Sequence, residues 1–142
     1  MNTGKKELQS ILQELEELKL PHMATKLEEL YHQPAFVDTG RLELISAIVH
    51  EEYTAAIENR YTSRLKKAKL RGSDNCLDQC VDSKERKYQP QDIVRTLSSL
   101  NFITNGMNLC IFGASDSGKT YLARALGAEA CREFRVGYYH CE

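Results

Sequence analysis

An eight-residue loop with a glycine near each end is the feature that most constrains this 142-residue chain. Residues 113–120 read Gly-Ala-Ser-Asp-Ser-Gly-Lys-Thr, which completes the pattern G-x-x-x-x-G-K-[ST], the Walker A motif. The two glycines let the backbone curl so that successive N–H groups point inward, where they can hold phosphate oxygens. In this motif the lysine reaches the β- and γ-phosphates, and the threonine hydroxyl binds Mg²⁺. The sequence therefore predicts a site for a nucleoside triphosphate together with Mg²⁺.

The residues on either side of the loop agree with this interpretation. Met107–Phe112 is a short apolar run, which we expect to be a buried parallel strand. After the loop, Leu122, Leu126 and Ala130 recur at helical spacing and predict a helix that begins at the loop. The alternative is a glycine-rich turn without a ligand, but the Lys-Thr pair and the order of strand, loop and helix favour a nucleotide site. We assign to that site Gly113, Ala114, Ser115, Asp116, Ser117, Gly118, Lys119, Thr120 and Tyr121, with Thr120 as the Mg²⁺ ligand.

Asp116 is an unexpected residue inside this loop. Its carboxylate would repel incoming phosphates unless the side chain points out to solvent. We also expect a permissive backbone conformation at this position, which aspartate tolerates better than most non-glycine residues. The prediction is therefore nucleotide binding that is weakened rather than lost.

Composition limits the size and type of the protein. A chain with 42% hydrophobic residues supports one modest domain, or a small helical module and part of a second domain. The net charge is −1, so any surface for nucleic acid has to be local. No apolar run approaches the roughly 20 residues of a membrane span, and the first residues lack a secretion signal. The five cysteines contain no Cys-x-x-Cys pair, which favours reduced thiols over zinc and predicts a cytoplasmic protein.

The first seventy residues have the pattern of three helices. Leucines and an isoleucine between Leu8 and Leu18 form one apolar stripe, and Pro21 is expected to end that helix. A second, short helix should end at Pro34. A third helix is predicted for residues 41–71, with Asp38 or Thr39 as its N-terminal cap.

The third helix changes character along its length. At about 100° per residue, one stripe is apolar in the first half of the helix and should pack against other residues. The same stripe then becomes basic, and six basic residues without an acidic one lie between Asn59 and Arg71. We call residues 60–71 the basic segment. It is either a solvated face or a surface for DNA phosphates, and the absence of acidic residues points to phosphates. The apolar members are Leu42, Ile45, Val49, Tyr53 and Ala56, and the candidate DNA contacts are Arg60, Arg64, Lys67 and Arg71.

The remaining residues complete the predicted domain organisation. Residues 72–90 are polar and are interpreted as a linker. A short helix is expected near Ile93–Leu100, and a second strand at Val136–Cys141. The predicted fold class is α plus α/β, with a helical N-terminal module at residues 1–71 and an incomplete P-loop domain at residues 91–142.

Seven segments, in the same order along the chain, carry a family resemblance. They are Leu18–Ala24, Leu27–Leu30, Glu51–Arg71, Ser99–Ile103, Asn105–Leu109, Gly118–Ala123 and Ala125–Gly127. They resemble IstB-type proteins, the AAA+ helper ATPases encoded beside the transposase of bacterial insertion sequences and related to DnaC helicase loaders. The resemblance implies a helical region that engages DNA, and an ATPase core that oligomerises on DNA and stimulates the transposase. Two positions depart from the family pattern, since His22 replaces a usual glycine and Asp116 replaces a small residue.

The resemblance also implies catalytic elements that would follow Glu142. These are an acidic Walker B strand end, a polar sensor residue and an arginine finger, none of which occurs in residues 1–142. Since phosphoryl transfer depends on such positioning and charge stabilisation, we expect an N-terminal fragment that binds ATP and does not hydrolyse it alone at a useful rate.

Three other functions compete with the transposition helper. A DnaC-like helicase loader has the same chemistry and a different partner. A small P-loop kinase is disfavoured, because such kinases usually begin with the strand before the loop. A non-catalytic protein that binds DNA or subunits, acting as a decoy for full-length copies, is the third.

Overall fold

The computed structural model describes residues 3–70, 76–81, 87–134 and 136. These residues form seven α-helices and one 3₁₀ helix, and none of them lies in a β-strand. The chain divides into two compact units, Met1–Arg60 and Tyr61–Glu142. In the part of the chain that the structure describes, no helix is long and apolar enough to span a membrane.

The first unit begins with two packed helices. Helix α1 is Thr3–Glu17 and helix α2 is Pro21–Tyr31. Leu8 of α1 and Ala24 of α2 are buried. A 3₁₀ helix, Pro34–Val37, follows α2. The predicted helices and the predicted end of the second helix before Pro34 are therefore confirmed.

The turn between α1 and α2 explains why the chain reverses there. Lys19 has a φ of 61°, in the left-handed region. The Lys19 and Leu20 N–H groups donate to the carbonyls of Glu16 and Leu15, each at 2.9 Å, the pattern of a Schellman motif that closes a helix. Pro21 then occupies the first turn of α2, where its missing N–H group costs nothing.

Helix α3, Arg41–Lys67, supplies a side-chain cap to the start of α2. Oε2 of Glu52 accepts hydrogen bonds from the backbone N–H groups of His22 and Met23, at 2.9 and 3.0 Å. The N-cap residue itself, Leu20, makes no side-chain capping bond. A carboxylate from another helix therefore satisfies two of the free amides at this positive helix end.

The apolar stripe of α3 is largely exposed in the part of the chain that the structure describes, contrary to the sequence prediction that it would pack. Leu42 is 82% exposed and Tyr53 is 60% exposed, and α3 has no buried residue within Arg41–Lys67. The periodicity correctly predicted one apolar face, but burial also requires an opposing element, and none of the described residues covers this face. The other members follow the same trend: Ile45 and Val49 are exposed, and Ala56 is half-buried.

The second unit has a core of short helices around a longer one. Helix α4 is Leu77–Val81, α5 is Ile93–Ser98, α6 is Asn101–Thr104 and α7 is Lys119–Glu133. Their buried side chains form one cluster that consists of Leu77, Cys80, Val94, Leu97, Leu122, Ala125 and Leu126. The short helix near Ile93 and the helix after the loop are thereby confirmed.

Helix α4 lies within the stretch that the sequence suggested was a linker. Leu77 is 7% exposed and Cys80 is fully buried, so this part of residues 72–90 belongs to the core of the second unit. The polar composition of the stretch concealed two apolar residues at i and i+3, which lie on the same face of a helix. Residues 72–75 and 82–86 lie outside the described residues.

The strand predicted for Met107–Phe112 is not formed among the described residues. Met107 follows a Schellman turn at Gly106, whose φ is 65°, and its N–H donates to the Phe102 carbonyl at 2.8 Å. Phe112 is 89% exposed. A strand is defined by hydrogen bonds to a neighbouring strand, and none of the described residues provides that neighbour. The second predicted strand lies outside the described residues except for Val136.

Candidate functional site

The loop at residues 113–118 reverses the chain through two left-handed residues. Asp116 has a φ of 59° and Gly118 a φ of 85°, and α7 begins at the next residue, Lys119. The expectation that the Asp116 position needs a permissive backbone is confirmed. Aspartate tolerates this conformation at a smaller cost than most residues, because its short side chain can bond locally.

Gly113 lies where the loop closes on itself. A Cβ atom built at this position would lie 2.9 Å from Oγ of Ser117 and 3.7 Å from Cδ of Lys119. Any side chain at residue 113 would therefore fill the space enclosed by the loop. The requirement for glycine here comes from this close approach.

The Lys119 side chain lies across the same loop. Its Nζ donates a hydrogen bond to the Gly113 carbonyl at 2.8 Å and another to the Ala114 carbonyl. The lysine is half-buried, whereas Ala114, Ser115, Asp116 and Ser117 are exposed. The ammonium group is thus held inside the loop by neutral acceptors, at the start of α7.

The first turn of α7 adds free N–H groups beside this ammonium. Helix α7 has 15 residues, and the amides of Lys119 and Thr120 find no acceptor among the described residues, as is usual in a first helical turn. The helix end carries a partial positive charge, and the Thr120 side chain is exposed. An enclosed loop, a lysine ammonium, helix-end amides and an accessible hydroxyl together fit a phosphate chain with its divalent cation.

Tyr121, which the sequence interpretation placed in the nucleotide site, contacts α4. Its hydroxyl donates to Oε1 of Gln79 at 2.6 Å and accepts from the backbone N–H of Cys76 at 3.1 Å. These bonds tie the residues before and within α4 to the first turn of the loop helix. No local signal could have revealed Cys76 and Gln79, because they are more than forty residues from Tyr121 in sequence.

The buried face of α7 fixes the direction of the loop. Its buried side chains are mainly small, which lets α4 and α5 approach closely, and Cys131 near its end is fully buried. Burial raises the pKa of the Cys131 thiol, and the nearby Arg64 guanidinium partly offsets that increase. The residues buried on α7 are Leu122, Ala125, Leu126, Ala128, Ala130 and Cys131.

The four candidate DNA contacts have different surroundings. Arg60 and Lys67 are exposed, as a phosphate contact requires. Arg64 is half-buried, and its Nη1 donates to the backbone carbonyls of Cys131 at 3.2 Å and Arg132 at 2.9 Å. Arg71 lies outside the described residues. Arg64 therefore has a partner within the second unit that the sequence did not indicate.

Two further contacts join the basic segment to the second half of α7. The Arg132 guanidinium lies over the Tyr61 ring, 4.8 Å from its centroid. Leu70 approaches Gly127 so closely that a Cβ atom there would lie 2.9 Å from Cδ1 of the leucine. A Schellman turn at Lys69, with a φ of 52°, directs Leu70 to this place.

Comparison with known proteins identifies the family of this chain. The family model described as IstB-like ATP binding protein matches residues 13–142. The chain belongs to this family. No solved structure gives a significant match to the chain.

The individual relatives are named as putative ATP-binding proteins of insertion sequences. The putative ATP-binding protein of insertion sequence IS1162 from Pseudomonas fluorescens is 31% identical over 88% of this chain and 54% of its own length. The putative ATP-binding protein of IS21 from Pseudomonas aeruginosa is 29% identical over 82% of this chain and 43% of its own. An IS21-like relative from Bacteroides fragilis is 31% identical over 81% and 57%. The chain thus spans about half the length of the curated relatives it matches.

Proposed function

We propose that this chain binds ATP with Mg²⁺ at residues 113–120 and serves as the ATP-binding part of an insertion-sequence transposition helper. The observation that carries the proposal is the position of the Lys119 ammonium, inside a closed loop and beside the N-terminus of α7. Membership of an ATP-binding family supports the same ligand. The relatives' names place them in insertion sequences, which supports DNA and a transposase as partners.

The residues of the loop would hold the nucleotide through charge and free donors. Lys119 would exchange two neutral carbonyl acceptors for phosphate oxygens, whose negative charge attracts the ammonium group more strongly than a carbonyl dipole does. The first amides of α7 would donate to the same phosphates. Thr120 would contribute its hydroxyl to Mg²⁺, which neutralises phosphate charge when bound.

A nucleotide titration with matched variants tests this assignment. Lys119→Ala removes a charged hydrogen bond worth about 1.5–3 kcal/mol, so the Kd for Mg-ATP should rise by roughly 10- to 150-fold. Thr120→Val should weaken binding in Mg²⁺ and leave binding in EDTA unchanged. Lys87→Ala is the control, because Lys87 is exposed and lies outside the loop. Equal affinity of wild type and Lys119→Ala would remove the basis of the proposal.

We also propose that the exposed members of the basic segment hold DNA phosphates, and that the partner protein is a transposase. Arg60 and Lys67 are exposed on the same helix and separated by seven residues, two helical turns. Because these contacts would be made to phosphates, which carry no sequence information, binding should depend on salt and hardly on sequence. Co-purification with the transposase of the same insertion sequence supports the helper function. Co-purification with a replicative helicase instead would identify a helicase loader.

A further inference from the structure

The basic segment is attached to the second half of α7, the helix that starts at the nucleotide loop. Arg64 donates two hydrogen bonds to the carbonyls of Cys131 and Arg132, in the last turn of α7. Ala68, one turn later on the chain, is 5% exposed. The Arg132 guanidinium also lies over the Tyr61 ring, and Leu70 contacts Gly127. We call these contacts the α3–α7 clamp.

Helix α7 therefore has a candidate ligand site at its first turn, and the two Arg64 hydrogen bonds of the clamp are made at its last turn. Its last carbonyls have no partner within the helix and carry a partial negative charge. The Arg64 guanidinium satisfies two of those carbonyls and complements their charge. At the opposite end of α7, phosphates bound at the first turn would accept hydrogen bonds from the free amides and complement the positive charge of that helix end. Both interactions order the same 15-residue helix.

We propose that Arg64 is a positioning residue that couples nucleotide binding to DNA binding, rather than a DNA contact itself. The inference rests on the proposed function, since it requires nucleotide at residues 113–120 and DNA at the basic segment. DNA phosphates would neutralise the repulsion among the neighbouring basic side chains and so stabilise the last turns of α3, which carry the clamp. The ordered clamp holds α7, and nucleotide then binds a helix that is already ordered, which gives positive cooperativity.

Affinity measurements in the presence and absence of DNA test the coupling. The Kd of the full chain for Mg-ATP is measured with and without a saturating 30-base-pair duplex of arbitrary sequence. For wild type we expect DNA to lower that Kd by at least about fivefold, the low end of allosteric coupling factors. By reciprocity, Mg-ATP should improve DNA affinity by the same factor.

Two variants remove the clamp in different ways, and a third is the control. Arg64→Ala deletes the two hydrogen bonds, and Gly127→Val displaces Leu70 without altering any charge. Both should bring the coupling factor to about one and leave the salt dependence of DNA binding nearly unchanged. Arg60→Ala removes a charge from the same stripe one turn earlier, so it should weaken DNA binding and retain the coupling. Circular dichroism verifies that each variant is folded.

Hydrogen exchange on the wild-type chain tests the coupling without relying on any variant. Mg-ATP should slow exchange in residues 61–70 as well as in the loop, because the clamp joins them. Wild-type chain that binds both ligands without coupling would overturn the inference and leave the proposed function standing. Coupling that persists in folded Arg64→Ala would also overturn it. If wild type binds neither ligand, the proposed function and the inference fail together.

Discussion

Glu52 of α3 caps the start of α2, and the loss of stability on removing this cap can be worked out from the structure. Oε2 of Glu52 accepts from the amides of His22 and Met23 at 2.9 and 3.0 Å, and the N-cap residue of α2 supplies no side-chain bond. Loss of a helix cap costs about 0.5–2 kcal/mol, and loss of a carboxylate at the positive helix end costs about 0.3–1 kcal/mol. Since Glu52 is only half-buried, we expect Glu52→Ala to lower the free energy of unfolding by about 2 kcal/mol.

Urea denaturation followed by circular dichroism measures this loss. With a slope of about 2 kcal/mol per molar urea, the unfolding midpoint of Glu52→Ala should fall by roughly 1 M. Glu52→Gln retains an acceptor but removes the charge, so its midpoint should lie between those of wild type and Glu52→Ala. Glu58→Ala is the matched control, since Glu58 is exposed on the same helix.

The reasoning would be refuted if Glu52→Ala and Glu58→Ala unfolded at the same urea concentration. That result would mean that solvent satisfies the first amides of α2 as well as the carboxylate does. A loss of about 4 kcal/mol or more would also contradict it, because capping bonds at a partly exposed helix end do not reach that value.

Three other predictions concern the loop, the basic segment and the thiols. Replacing both Arg60 and Lys67 with alanine should flatten the slope of log binding constant for DNA against log salt concentration by about 1.8, since each phosphate contact contributes about 0.9. An unchanged slope would mean that these side chains are only solvated. Asp116→Asn removes the negative charge, and asparagine tolerates the left-handed backbone at this position. Titration should show that Mg-ATP binds this variant about two- to fivefold more tightly. Unchanged affinity would show that the carboxylate faces solvent. Cys76 is exposed, whereas Cys131 is buried and its thiol has a raised pKa. At pH 8, iodoacetamide should therefore label Cys76 at least about tenfold faster than Cys131, as measured by peptide mapping. Comparable labelling rates would contradict the buried position of Cys131.

Local patterns in the sequence were sufficient to predict most of the helices and the loop. Pro21 and Pro34 mark helix boundaries because proline restricts its own backbone and that of the preceding residue, and neither effect depends on distant contacts. The left-handed backbone at Asp116 follows from the spacing of the phosphate-loop motif. The helix after the loop was predictable because Leu122 and Leu126 lie on one face at helical spacing.

Features that depend on distant partners were not predictable in this way. Met107–Phe112 has the composition of a strand, but a strand also needs a hydrogen-bonded neighbour, which none of the described residues supplies. The apolar stripe of α3 and the exposed Leu42 have the same explanation, since periodicity defines a face and does not identify what covers it. Helix α4 was not predicted. Its five residues are too few to show a helical periodicity that would identify a core element.

Arg64 is a candidate site residue whose surroundings also depend on distant partners and were not predictable from the sequence. In sequence it is equivalent to Arg60 and Lys67, since all three lie on one basic stripe. Its carbonyl partners are 67 and 68 residues away on α7, and only the structure brings them together. Charge pattern therefore indicated a basic surface but did not identify which cation is held within the protein.

Hydrogen exchange of the whole chain with and without Mg-ATP tests the central claim most directly, because it locates the bound nucleotide on the chain. Protection should be greatest in peptides that cover residues 113–122, where the amides of the loop and of the first turn of α7 would donate to phosphates. The same protection should be absent in Lys119→Ala at the same nucleotide concentration. Protection that is greatest elsewhere, or nucleotide binding without any protection of this loop, would contradict the account.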